Sequence, residues 1–320
     1  VLLQLKMQPG LKWTEDFNMD FKITTDAQDI GVDRAAMQKM LDEMPEPTTD
    51  EERAQIDVIK KFLSEDYSKQ PYLALEMEGK RANNVAELKD DGFVMATTLQ
   101  TIRMSFGGFM MPTTEINSAT DKRSGASLDG LLLMVGAELK LLVTKDGKIT
   151  AVEGIDALNS KAEQEYSKDP ILQQQIKEVL AEQKEQLSIQ NMAPYPDYAV
   201  KAGDQWVIEL PMQLGQGETG VQELPVTMTL VKRADGKSYI HGEGRTVVDT
   251  PVESTAQPGV VVMNKVPVEL NIEIRVDEAT GLAEEMTMIM TSHLETASDD
   301  GNAQSFDSQM TLKVSNTLDR

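Results

Sequence analysis

Apolar and polar residues alternate with period two over much of this chain. The pattern is clearest from Lys265 to Val276. There Val266, Val268, Leu270, Ile272, Ile274 and Val276 alternate with Glu269, Asn271, Glu273 and Arg275. A helix does not produce that run; a strand with one buried and one wet face does, and such faces belong to antiparallel sheets. Asp277 to Gly281 supplies turn residues. Leu282 to Leu294 returns with Met286, Met288 and Met290 on one face, and Phe306, Met310, Leu312 and Val314 mark a last strand. At the start, Leu3, Leu5 and Met7 alternate with Gln4 and Lys6. Gln8-Pro9-Gly10 follows, then Trp13, Phe17, Met19, Phe21 and Ile23 in the same parity. This predicts a β-hairpin over the first residues.

Helical spacing interrupts the alternation twice. Ala36, Met37, Met40, Leu41 and Met44 recur on one side, and Pro45 and Pro47 end that helix. Thr49 or Asp50 caps the next, with Ile56, Ile59, Phe62 and Leu63 on its apolar side. Residues from about 32 to 65 therefore read as a helical insert. The second interruption runs from about Asp156 to Ile189. Asp169-Pro170 is a cap followed by a first-turn proline, and Leu172, Ile176, Val179 and Leu187 form the stripe. Asn191 to Tyr198, with Pro194 and Pro196, reads as a linker.

The two sides of that linker echo each other. Pro9-Gly10-Leu11-Lys12-Trp13 resembles Ala202-Gly203-Asp204-Gln205-Trp206, and these are the only two tryptophans. Asp90-Asp91-Gly92 corresponds to Ala234-Asp235-Gly236, each between strand-like runs. The hairpin over 138–152 corresponds to the longer one over 265–294. The expected fold is α+β and β-dominated, with two similar antiparallel sheets forming an internal repeat and inserted helices packed on them. The expected units are a first β unit over 1–158, a helical connection and linker over 159–197, and a second β unit over 198–320.

Composition narrows the partners. With 53 acidic against 31 basic residues the net charge is -22, which repels phosphate backbones and argues against nucleic acid. No apolar run reaches the ~20 residues of a membrane helix; Leu131 to Val135 is a short buried stretch. Cysteine is absent, which removes disulfides, thiolate metal sites and cysteine nucleophiles. The chain begins at Val1, and a removed signal segment, with or without a lipid-bearing cysteine, is the expectation.

No motif carries chemistry. Gly215-Gln216-Gly217-Glu218-Thr219-Gly220 matches the dinucleotide glycine pattern, but the alternation of Val226, Met228 and Leu230 predicts a strand after it. The mechanism requires a helix there, whose N-terminus faces the pyrophosphate. His241 and His293 are too few for a three-histidine zinc site and lie among polar neighbours. Asp299-Asp300-Gly301-Asn302 lacks the ligand spacing of a calcium loop and reads as a hairpin tip. Gly125-Ala126-Ser127-Leu128-Asp129 lacks the second glycine of a nucleophile elbow, and Ser127 reads as the cap of a short helix over 128–135. No glycosidase-type carboxylate pair stands out. Catalytic, cofactor and metal residues are therefore expected to be none. Methionine is the unusual residue, 19 against 7 phenylalanines. Met19, Met77, Met212, Met228, Met286, Met288 and Met290 sit on apolar faces, where they fill an ordinary core or line an adaptable apolar cavity.

Three stretches, LLQLKMQPGLKW over 2–13, LLVTKDGKITAVEGIDAL over 141–158 and PDYAVKAGDQW over 196–206, resemble an uncharacterised family of bacterial secreted proteins and lipoproteins that carries only a domain-of-unknown-function label. The resemblance implies a β-rich fold and export to the periplasm, outer envelope or medium. It offers no catalytic residue. The expected role is a non-catalytic envelope protein binding an apolar molecule or a protein partner; the alternatives are a structural or assembly protein with a filled core and, third, a hydrolase.

Overall fold

A computed structural model describes residues 1–25, 34–45, 47, 49, 52–53, 56–57, 59–60, 63, 71–108, 111–121, 129–188, 195–213, 221–253, 261–297 and 303–319. The strands are β1 (Lys12–Thr25), β2 (Leu73–Lys89), β3 (Gly92–Gly108), β4 (Met111–Asn117), β5 (Glu138–Thr144), β6 (Ile149–Glu153), β7 (Gln205–Gln213), β8 (Val221–Ala234), β9 (Lys237–Glu253), β10 (Val261–Asp277), β11 (Ala283–Ala297) and β12 (Ala303–Leu318). The helices are α1 (Arg34–Glu43), α2 (Asp129–Met134), α3 (Ile155–Glu165) and α4 (Pro170–Ser188).

All twelve strands join one antiparallel sheet, in the order β6-β5-β3-β2-β1-β12-β11-β10-β9-β8-β7, with β4 on the second half of β3. The expectation of two separate sheets is corrected here. Each half is a meander, but the first strand of one half pairs along its length with the last strand of the other, from Trp13↔Leu318 to Thr25↔Phe306. That seam makes one sheet of two meanders. The starting hairpin is corrected too. Leu3, Leu5 and Met7 do point inward, and the Gln8 carbonyl accepts the turn bond from Leu11 N–H (3.0 Å). Residues 1–8 do not fold back on β1, however. They run across to the other half, where Lys6 N–H donates to the Thr280 carbonyl (2.7 Å) and Val200 N–H to the Val1 carbonyl (2.7 Å).

The sheet buries one face, called inner here, in two main clusters. Around Trp13, the inner residues of β2, β3, β5 and β6 pack against Leu133 of α2, Ile155, Leu158 and Ala162 of α3, and Leu172, Ile176, Leu180 and Leu187 of α4. Asp169 caps α4 by accepting the Leu172 N–H (3.0 Å). Pro170 follows it at the first helical position, where a missing N–H loses nothing. Around Trp206, the inner residues of β8, β9 and β10 pack with Leu3, Val200 and Tyr195. Both tryptophans are on the inner face.

Matching hydrogen bonds recur in the two halves. Gly10 N–H donates to Val85 O (2.8 Å) and Val85 N–H to Leu11 O (2.9 Å); Gly203 N–H donates to Leu230 O (2.8 Å) and Leu230 N–H to Asp204 O (3.1 Å). Each glycine has positive φ, and each strand pair shifts register just after the bonded residue. The corresponding turns differ slightly from the sequence alignment, because Lys89 pairs with Gly92 but Ala234 with Lys237. Asp90-Asp91 is thus the counterpart of Asp235-Gly236.

In the insert, Thr49 Oγ1 accepts from Glu52 N–H and Glu52 Oε2 from Thr49 N–H, both at 3.1 Å, the reciprocal box that opens a helix. Helix α2 spans Asp129–Met134, and Gly136 with positive φ follows it. Ser127 and the Asp299–Asn302 tip lie outside the described residues.

Candidate ligand-binding face

The register of the pairs aligns inner side chains into rows across the sheet. One row runs Ile116, Met104, Met77, Met19, Leu312, Met288, Ile272, Gly242, Met228, Trp206. The next runs Thr114, Phe106, Leu75, Phe21, Met310, Met290, Leu270, Gly244, Val226, Ile208. Neither contains a charged side chain.

Burial divides these rows. On β8 and β10, Met228, Val226, Ile272 and Leu270 are buried, because Leu3, Val200 and Tyr195 pack into that cluster. On β3, β2, β1, β12 and β11 the ten side chains of the two rows are half-buried. Helices α2 to α4 lie over the other end of the first meander, around Trp13. The ten residues form an apolar strip. With strands ~4.8 Å apart, the five strands make it about 19 Å long. Six of the ten are methionine.

A polar belt separates this strip from the helix-covered core. Glu15 pairs with Arg81 on one side and Asn316 on the other. The Arg81 guanidinium donates to Glu15 (2.9 Å), and its carbon sits 4.7 Å from the centre of the Phe17 ring. Asn316 Nδ2 donates to the Ala283 carbonyl (2.8 Å), while its Oδ1, also buried, has no donor. At the other margin Ser292 and Ser308 share a hydrogen bond of 2.7 Å. Gly79 lies under Phe17: a side chain there would meet the ring at 2.3 Å.

The sequence places Met19, Met77, Met288 and Met290 in this strip and Met286 one row nearer the belt. It did not single out Met104, and it named Met310 only as part of the last strand; the register adds both to the strip. Met228 belongs to the filled core, and the Met212 side chain lies outside the described residues. Alternation reveals the face of each methionine, but only pairing reveals its neighbours.

The opposite face is charged and ion-paired. A concavity of about 700 Å³ there is lined by Asp16, Lys80, Glu78, Arg103, Glu285 and Lys313. Lys80 lies 3.9 Å from Asp16, and Arg103 3.7 Å from Glu78. Both histidines are on this face. His241 lies between Glu243 (3.0 Å) and Glu273 (2.7 Å), which raise its pKa; His293 lies between Asp307 (2.7 Å) and Glu295 (3.3 Å), with the same effect. The carboxylates approach opposite ring nitrogens, so they cannot converge on one ion. Among the described residues no group of three or more His, Asp or Glu could hold a metal. The loop 215–220 lies outside the described residues. Its flanks are the antiparallel pair β7 and β8, closing at Gln213↔Val221, so a strand follows it as the alternation predicts.

A family model described as "Family of unknown function (DUF6263)" matches residues 90–283. That stretch runs from the β2–β3 turn to the first residue of β11, so it leaves out β1, β2 and β12, which supply most of the apolar strip. No curated protein matches. Among solved structures, the chain is similar to one titled "Lipid-protein interactions in lipovitellin", with 7% identity and a TM-score of 0.43, over 98% of this chain and 26% of that one. No helix among the described residues is long and apolar enough to cross a membrane.

Proposed function

We propose, for a chain that belongs to DUF6263, a family of unknown function, that it is a non-catalytic protein which binds an apolar molecule on the methionine-rich strip of its inner face. The observation that supports this is the contrast along two continuous rows. Similar apolar chemistry is fully buried on β8 and β10 and half-buried on β3, β2, β1, β12 and β11. A face meant only as core would be covered throughout, since apolar surface left in water forgoes ~25 cal/mol per Å². Methionine is unbranched and polarizable, so it fits a fluid partner better than a rigid one. The ~19 Å strip also exceeds the ~15 Å depth of one leaflet of a ~30 Å bilayer core, so it has room for an extended acyl chain. The recurring bonds at Gly10 and Gly203 support reading the two meanders as one unit used twice. Export, which the family resemblance implies, is part of the same proposal.

Binding of an uncharged solvatochromic dye tests this reading, together with mass spectrometry of organic extracts from protein purified out of its native source. Met288→Asp should weaken dye binding about tenfold or more, because a carboxylate would have to leave water. Met288→Leu should keep it. A dry face, with no dye bound and no co-purified molecule, would favour a structural role instead.

A further inference from the structure

The strip also restricts the charge of what it holds, an inference that rests on the binding reading above. We infer that the ligand is an uncharged long-chain amphiphile with a hydroxyl head, and that the site discriminates against anionic lipids such as fatty acid carboxylates. Three observations on the inner face carry this. First, the two rows have no charged side chain among the described residues, so no cation waits for an anionic head. Second, the cation at the belt is committed. Arg81 is held by Glu15 at 2.9 Å and stacks over Phe17, and the pair is neutral as a unit. Third, the belt's unspent polar atom is an acceptor, the Oδ1 of Asn316. A small shift of that buried amide would let a ligand hydroxyl donate to it. A carboxylate, which only accepts, gains nothing there.

The whole molecule points the same way. A net charge of -22 opposes the approach of an anion. It equally opposes a second copy of this chain as the occupant, since two such charges would have to meet across a patch only five strands wide.

Displacement of the uncharged dye by a long-chain alcohol and by the fatty acid of the same length, at a pH where the acid is ionised, separates the possibilities. The alcohol should displace the dye at a concentration about tenfold lower or less, because the carboxylate is desolvated without a partner. Glu15→Gln removes the anion that occupies Arg81. In that variant the fatty acid should gain on the alcohol by several-fold. Equal displacement by the two compounds in the native protein overturns the inference while leaving apolar binding intact. An unchanged ratio in Glu15→Gln, in a variant whose circular dichroism matches the native protein, overturns the role given to Arg81. Failure of the dye to bind at all removes the binding reading and this inference together.

Discussion

Glu278 illustrates how charge is handled at single positions. Arg233 donates to both its carboxylate oxygens, at 2.7 and 2.6 Å, and Ser238 Oγ donates at 2.7 Å. The Arg233 bonds first, then that of Ser238, lower the Glu278 pKa from 4.5 to about 2. A carboxyl depressed in the folded state stabilises it fully above the unfolded pKa, and that stability is lost as pH falls from about 4.5 through about 2. Acid unfolding of Glu278→Gln should therefore be shallower over this window than that of the native protein. Urea midpoints measured at several pH values check this, and parallel curves would exclude the linkage. Such residues were only partly legible. The sequence marks Asp277 to Gly281 as a turn. It does not reveal that Arg233, at the end of β8, arrives beside it.

At the scale of elements, the N-terminal segment depends on Gly281. This residue has φ 76°, and a Cβ there would lie 1.9 Å from the Gln4 carbonyl oxygen. Gly281→Ala is expected to cost ~2 kcal/mol or more, from the left-handed backbone and the displaced segment. Faster hydrogen exchange at Lys6, whose N–H bonds Thr280, would report the displacement; unchanged exchange there would contradict it. Prolines obey a related logic. Pro225 lies one residue outside the β8–β9 pairing, and Pro267 one residue outside the β10–β11 pairing. Each thus sits where one of its two neighbours no longer pairs, the place where a missing N–H is tolerated. Strands, caps and turns were the readable part of this chain, because each depends on residues within a few positions. Asp169, Thr49, Gly10 and Gly203 announced themselves. The path of residues 1–8 did not: their alternation matched a strand, and only contacts with Val200 and Thr280 distinguish a segment crossing the sheet from a hairpin arm.

For the whole molecule, the seam between β1 and β12 decides the architecture. Period-two patterning specifies which face of a strand is buried and is silent about which strand lies beside it. Two sheets and one sheet therefore have the same signature, and so does a methionine in a filled core compared with one in an open strip. The seam is testable by backbone chemistry. Asn18 of β1 pairs with Glu78 and with Lys313, so both its neighbours are present. Asn18→Pro should cost ~3 kcal/mol or more and lower the denaturant midpoint accordingly. Glu209→Pro, on the edge strand β7 that already carries Pro211, should cost clearly less. Equal losses would mean that the seam is no more central than the edge.

The same seam sets a schedule for biosynthesis. Phe17 and Val314 are adjacent in the sheet yet about 300 residues apart in the chain, which places the pairing among the slowest kinds of contact to form. At ~5–20 residues per second, the ribosome needs roughly 15–60 s to make β12 after β1. Once β2 has followed, β1 has a neighbour on one side and an open edge on the other until β12 arrives, with Met19 and Phe21 facing inward over an unfinished surface. The nascent chain must therefore be sheltered from neighbours until its last strand arrives.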